Sequence, residues 1–360
     1  MPDTSLEIAI VGGGINGLCI AWVLAEQAHQ VTLFERDQLM SQTSSASTKL
    51  LHGGLRYLET GQIRLVREAL RERAWWLAQV PSLTQPLALY LPVYAASARA
   101  AWRIRTGLWL YDRLAGKTNI APHARLDRAG FIAQAPELRP AGLRGGFRFF
   151  DGQMDDLALG LWVADQARQA GARLLEGAAV SRVSTSGMVT FNGETRHFDR
   201  VINVAGPWAE ALLQQSGLRS RCRLELIRGS HILFDEPLDH GYCLQAPQDS
   251  RVFFVIPYQG RTLVGTTEER HNAQDWPPAC HESEAHYLLT AYNAHFRRAK
   301  SVADIAASFA GVRPLVRSAA HPSKLSRDYT LERHDRLITV FGGKWTTTRA
   351  LAHSVARWIL

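Results

Sequence analysis

The 360-residue chain predicts an α/β fold that opens on a dinucleotide-binding βαβ unit, and three local observations carry that prediction. Residues 7–11 (EIAIV) form an apolar, β-branched run of the kind buried at the centre of a parallel sheet. Gly12-Gly13-Gly14-Ile15-Asn16-Gly17 follows at once, and an apolar helical stretch then continues to about Ala28. A second strand at 31–34 ends at Glu35. The order strand, G-x-G-x-x-G, helix, strand, acidic residue gives each part a task. Gly12 permits the tight turn, Gly14 lets backbone approach a pyrophosphate, and Gly17 lets the helix pack closely on the strand. Ile15 and Asn16 open the helix, whose unpaired N–H groups and positive dipole end attract phosphate. Glu35, 18 residues after Gly17, is placed to accept hydrogen bonds from a ribose and disfavours a 2′-phosphate, although Arg36 follows it.

Length and composition allow two domains sharing one cleft: hydrophobic residues make up 46% and charged residues 21%. Cys19, Cys222, Cys243 and Cys280 are widely separated, which argues against a disulfide framework or a cysteine zinc site and makes a reducing, cytoplasmic setting the default. Thirteen histidines scatter without an H-x-x-x-H or H-E-x-x-H spacing, so no metal site is expected. The start shows neither a basic nor a long apolar targeting segment, and no run reaches the roughly 18 apolar residues of a membrane span. The net charge is +8, and five of the 41 basic residues are lysine. Such a balance fits base composition, an anionic ligand or an anionic membrane surface. No nucleic-acid-binding motif accompanies it, and no G-x-S-x-G elbow supports a hydrolase.

Further along, 43–48 packs Thr43, Ser44, Ser45, Ser47 and Thr48 around one alanine, followed by Lys49 and then His52-Gly53-Gly54-Leu55. Such a stretch offers short donors for phosphate and ribityl oxygens, and paired glycines that let backbone approach a flat ring. Residues 62–80 predict a helix with Ile63, Val66, Leu70, Ala74 and Leu77 on its apolar face. Residues 99–114 mix Arg99, Arg103 and Arg105 with Trp102, Leu108 and Trp109, which suits either a core-packed helix with a basic face or a segment lying on anionic lipid. A helix starting near Asp155-Asp156 ends at Gly171, short strands follow to about 199, and 201–204 reads as a strand ending at Ala205-Gly206. Residues 222–267 are strand-rich, 281–298 reads as a helix, 303–312 as a strand, and 337–341 as a buried strand before a final helix.

The segments GGGINGLCIA (12–21), TSSASTKLLHGGLRYLETGQIRLVREALRER (43–73), INVAGPW (202–208), IRGSHI (227–232), VFFVIPY (252–258), VGTTEE (264–269), GVRPL (311–315), SRDYTL (326–331) and FGGKWTTTR (341–349) occur in this order. Together they closely resemble the flavin-linked glycerol-3-phosphate dehydrogenases of the D-amino-acid-oxidase-like superfamily. That resemblance implies an FAD-binding Rossmann-like domain of the D-amino-acid-oxidase type, interleaved with an α+β substrate domain containing an antiparallel sheet. The flavin domain is expected over 1–77, 150–221 and 318–360, and the substrate domain over 78–149 and 222–317. To the cofactor contacts already named the resemblance adds Val180, Ala205, Gly206, Trp208, Gly343, Lys344, Trp345, Thr346 and Thr347. The chain departs from the pattern at Glu268 (usually Asp), at Trp345 (usually Leu), and in ending at Leu360 where family members continue into a helical domain.

The implied reaction oxidises sn-glycerol 3-phosphate to dihydroxyacetone phosphate, with hydride passing to flavin N5 and electrons to a quinone at a peripheral membrane surface on the inner face of the cytoplasmic membrane. Such a site needs a proton acceptor and cations for a phosphorylated polyol, best held by arginine forks. The matching candidates are His231, Arg313 and Arg56 as catalytic groups, with Tyr57, Thr267, Arg327 and Lys344 as substrate contacts. Here Arg313, Arg327 and Lys344 form the anion pocket, Arg56 and Tyr57 orient substrate and close the cleft, and His231 is the preferred base. His52 is the competing base or a flavin contact. Two alternatives remain: an oxygen-using oxidase of another small hydroxy or amino acid, and a non-catalytic flavoprotein subunit.

Overall fold

The computed structural model describes residues 5–272, 274–317 and 329–359. Two sheets organise it. The first has six strands in the order Tyr329–His334, Leu337–Gly342, Arg200–Asn203, Glu7–Val11, Gln30–Phe34, Arg173–Leu175. All neighbours are parallel except the first pair. Glu7–Val11 lies near the middle and its apolar run is used on both faces. Ile8 and Ile10 pack among helices Ile15–Glu26, Asp156–Gln169 and Thr348–Ile359, while Ala9 and Val11 face Val183, Val189, Phe198 and Leu213 on the other side. Burial on both faces is why this strand does not alternate with polar residues.

The second sheet is the expected antiparallel one. Its ten strands include the long pair Thr84–Tyr94 and Leu143–Met154, the pair Leu224–Phe234 and Ala307–Val316, and the meander Gly241–Gln245, Val252–Tyr258, Arg261–Gly265. Gly241–Gln245 runs parallel to Thr84–Tyr94, and the other pairs are antiparallel. Helices Ile63–Gln79 and Ala101–Ala115 cover one face through Leu65, Val66, Leu70, Ile104 and Leu108. Helix Glu282–His295 covers the other through Leu288, Leu289 and Tyr292. The boundary expected at 149/150 falls inside strand Leu143–Met154.

Most helices lie where periodicity places them. Asp155 caps Asp156–Gln169 by accepting from the Ala158 N–H at 3.0 Å. Helix Ile63–Gln79 forms as expected but turns a different face inward: Ile63 is exposed, and Leu65, Ala69, Glu72, Arg73 and Trp76 are buried beside Val66 and Leu70. Two charged residues on the inner face are tolerated because each finds a partner, Glu72 with Arg349 and Arg73 with Asp151. The strand expected at 303–312 starts later, at Ala307, after a short 3-10 turn at Val302–Asp304.

Candidate functional site

A cavity of about 1260 Å³ lies between the two sheets. A small-ligand pocket typically holds 300–1000 Å³, so there is room for a dinucleotide and a small substrate together. One end is the G-x-G-x-x-G turn, where Gly12, Gly14, Ile15 and Asn16 line the wall. Gly12 sits at φ +120°, and a Cβ there would lie 2.6 Å from the Val204 carbonyl oxygen, so only glycine fits. A Cβ on Gly17 would lie 1.9 Å from the Gly12 carbonyl oxygen, which is the close helix packing expected of it.

Helix Ile15–Glu26 follows Gly14, which has no side chain to cap it, and has no acidic residue in its first turn; Ser44 accepts from its Ile15 N–H, and the rest of its positive end faces the cavity. Beside it, the Asn16 Oδ1 is buried without a hydrogen-bond partner among the described residues. Glu35 lines the same end and accepts from the Gly13 N–H at 2.6 Å and the Asp37 N–H at 2.9 Å. Arg36, Val180, Ala205, Gly206 and Trp208 complete it, with the Arg36 guanidinium 4.3 Å from the Trp208 ring centroid. An open helix end, a cradle that excludes Cβ atoms and a carboxylate 22 positions beyond Gly13 fit the pyrophosphate and ribose of FAD.

The hydroxyl-rich loop serves differently from expectation. Thr43, Ser44 and Ser47 line the cavity, but most of the hydroxyls are engaged in holding the loop itself. Thr43 donates to the Val312 carbonyl at 2.7 Å, Ser45 to the Gln42 carbonyl at 3.1 Å, and Ser47 to Asp156 at 2.6 Å, while Ser44 accepts from the Ile15 N–H at 3.0 Å. Lys49 is turned away altogether. Its ammonium lies 2.6 Å from Asp156 and 2.7 Å from the Ser45 carbonyl, a buried ion pair that anchors the loop from behind. Ser45 and Lys49 are therefore supports rather than cavity groups.

The next turn brings the reactive candidates together. His52, Gly54, Leu55, Arg56 and Tyr57 line the cavity, and so do Gly343, Lys344, Trp345 and Thr346. Thr346 Oγ1 accepts from the His52 N–H at 3.2 Å, and the Lys344 ammonium stands 3.7 Å above the Tyr57 ring. Trp345 donates from its indole nitrogen to the Ser44 carbonyl at 2.9 Å, so the departure from leucine adds a bond to the loop. Gly53 instead points its missing side chain at Leu70 and the Tyr111 hydroxyl, and Thr347 is buried under the helix start, outside the lining.

Strand Ala307–Val316 delivers Arg313 to the same space. Its Nη2 donates to Thr266 Oγ1 at 2.8 Å, and its Nη1 lies 3.6 Å from Glu268 Oε1. Glu268 also lies 3.7 Å from Arg251, so the pocket carboxylate is shared by two guanidinium groups. Arg327 falls outside the described residues.

The structure places two of the expected site residues away from the cavity lining. His231 lies outside the cavity lining: it is 1% exposed, stacks on Phe309 and exchanges a hydrogen bond with Thr48 at 3.0 Å, and Thr48 is the residue that reaches the cavity. Burial, then the Arg313 and Lys49 charges, hold its pKa well below the ordinary histidine value. Thr267 points into the protein, donating to Glu284 at 2.6 Å and accepting from the Ser230 N–H at 2.8 Å, and its neighbour Thr266 holds Arg313. These neighbouring threonines point opposite ways, so a motif match cannot assign the facing residue. Sequence reasoning missed Thr266, Glu268 and Asp151 in the wall, and Arg99 and Arg103, just before and within helix Ala101–Ala115. The departure at Glu268 was the one available signal.

Comparison with known proteins agrees with this geometry. Residues 7–358 match the family described as FAD dependent oxidoreductase. A glycerol-3-phosphate dehydrogenase of Pseudomonas aeruginosa is 41% identical over 97% of this chain and 70% of its own length. A D-erythritol 1-phosphate dehydrogenase of Brucella abortus is 36% identical, covering 98% of this chain and 72% of its own. In structure, the glycerol-3-phosphate dehydrogenase of Bacillus halodurans, complexed with FAD, superposes with a TM-score of 0.79 at 26% identity, covering all of this chain and 65% of its own. This chain thus spans about two-thirds of the length of those relatives. With the dinucleotide cradle in place and the match running from end to end, the chain belongs to the FAD-dependent oxidoreductases, on their glycerol-3-phosphate dehydrogenase branch.

Proposed function

We propose that this protein oxidises the secondary alcohol of sn-glycerol 3-phosphate to dihydroxyacetone phosphate. The observation that carries this reading is the convergence of Arg56, Arg313, Lys344 and His52 on one cavity that begins at the dinucleotide cradle. Bound FAD supplies the hydride acceptor. The protein's part is to hold the phosphorylated polyol and remove its hydroxyl proton. Arg313, braced by Thr266 and Glu268, presents its fork to the phosphate, and Arg56 and Lys344 add charge. Tyr57 beneath Lys344 limits that ammonium's position. With His231 behind Thr48, the base in this reading is His52, whose main chain is pinned by Thr346.

Quinone as electron acceptor and attachment to the inner face of the cytoplasmic membrane extend the proposal. No helix among the described residues is long and apolar enough to cross a membrane. Helix Ala101–Ala115 combines both expectations for its sequence. Ile104, Leu108 and Tyr111 pack inward, and Trp102 and Trp109 are 65% and 52% exposed among Arg103, Arg105 and Arg113. The same helix lines the cavity through Ile104, Gly107 and Leu110, which would put a surface-bound acceptor next to the site.

Anaerobic addition of sn-glycerol 3-phosphate to the FAD-loaded protein should bleach the flavin absorbance. A flavin that stays oxidised would overturn the substrate assignment and favour another small hydroxy or amino acid.

A further inference from the structure

The turn carrying His52 is held from beneath by a buried polar cluster that the reaction outlined above does not use. Tyr111, from helix Ala101–Ala115, accepts from the Gly53 N–H at 2.7 Å and donates to Asp151 Oδ1 at 2.7 Å. Because the Gly53 hydrogen already occupies one side of the phenol oxygen, the hydroxyl hydrogen is directed at the carboxylate. Arg73, from helix Ile63–Gln79, donates to the same Oδ1 at 2.7 Å and to the Phe150 carbonyl at 3.0 Å. The Gly53 N–H also lies 3.4 Å from Asp151 Oδ1. Two helices and one strand therefore converge on a single backbone N–H, next to the residue proposed as base.

The cluster is an expensive way to stabilise a fold. The Arg73 side chain is fully buried, and its Nε and Nη2 have no hydrogen-bond partner among the described residues. A buried ion pair of this kind is commonly matched or bettered in stability by apolar residues of similar volume. Burial pushes the Asp151 carboxyl up, against the pull of Arg73. There is no room for an apolar substitute at Gly53 itself, because a Cβ there would lie 2.6 Å from both Leu70 and the Tyr111 hydroxyl. The His52 N–H is fixed from the other side by Thr346, so the turn is gripped on consecutive amides by opposite walls.

We infer that Tyr111, Asp151 and Arg73 are positioning residues that set the His52-Gly53-Gly54 backbone, and with it the base, relative to the substrate. This rests on the proposed function for its catalytic consequence, though the structural half is independent of it. Displacing a reacting group by about 1 Å can lower a rate roughly 100-fold.

The test compares the FAD-loaded protein with Tyr111→Phe and with the paired change Arg73→Met/Asp151→Leu, which removes both charges together. Three readouts are needed: amide exchange at Gly53 and Gly54, the denaturation midpoint, and flavin bleaching by sn-glycerol 3-phosphate. The expected result is faster exchange at those amides, by about tenfold or more, with the midpoint unchanged. Bleaching at saturating substrate should slow by about 10- to 100-fold while KM stays within about threefold. Bleaching within twofold of the unaltered protein would overturn the inference. So would exchange that rises throughout the chain with a lowered midpoint, since that marks a purely structural cluster. If the unaltered protein is not bleached at all, the substrate reading fails, and local exchange still decides whether the cluster holds the turn.

Discussion

The cavity wall around His52 and the buried layer around His231 are drawn from the same motifs, yet their polar groups have opposite duties. In the layer, each charge meets another protein group: Lys49 meets Asp156, and Arg228 meets Glu284, which also takes the Thr267 hydroxyl. In the wall, Arg56, Arg313, Lys344 and His52 come from three separate segments and face a shared space. Exclusion from the cavity marks the layer as support, and convergence on open volume marks the wall as the place where a ligand can be met.

The comparison breaks most sharply at the two histidines. His52→Asn should lower the rate of flavin reduction by about 1000-fold with little change in KM, the loss expected of a general base. A variant that keeps most of its rate would move the base elsewhere. Arg313→Gln comes next, with kcat/KM for the phosphorylated substrate falling about 100-fold, chiefly through KM. If the same loss is seen with unphosphorylated glycerol, Arg313 does not read the phosphate.

Support residues should fail differently. Lys49→Met leaves Asp156 buried without its cation, so the protein should lose about 3 kcal/mol of stability in denaturant titration, with KM near that of the unaltered chain. His231→Gln should leave the reduction rate within about threefold. Its effect should instead appear in the pH dependence of stability. The folded pKa of His231 is lowered by burial and by Arg313 and Lys49, so only the unfolded chain takes up this proton as pH falls through about 6.5. Stability should drop on that acid side by up to about 1.4 kcal/mol per pH unit from this group. The substitution should make the drop shallower, and an unchanged slope would show that His231 titrates normally in the folded state.

The legible part of the fold was what neighbours along the chain decide. Gly12, Gly14, Gly17 and Glu35 act within one βαβ unit, so their spacing carries their geometry. The site was legible as a set of segments but not as a set of facing side chains. Thr266 and Thr267 share one motif and point opposite ways, and Lys49 sits in a cofactor-like loop while serving as its anchor. Helix Ile63–Gln79 shows the same limit, since periodicity alone keeps Arg73 outside and the distant Asp151 brings it in.

By itself, then, the sequence determined the dinucleotide-binding unit, because its strand, turn and helix signals are local, and its contiguous motifs carried the resemblance from which the family and the antiparallel second sheet were expected. Only the tertiary structure decided that His52 and not His231 meets the cavity, that Glu268 and Thr266 brace Arg313, and that a carboxylate some 100 positions away underpins the Gly53 amide. These depend on which strands pair, in which register, and which groups burial leaves without water, and such contacts join residues far apart in the chain.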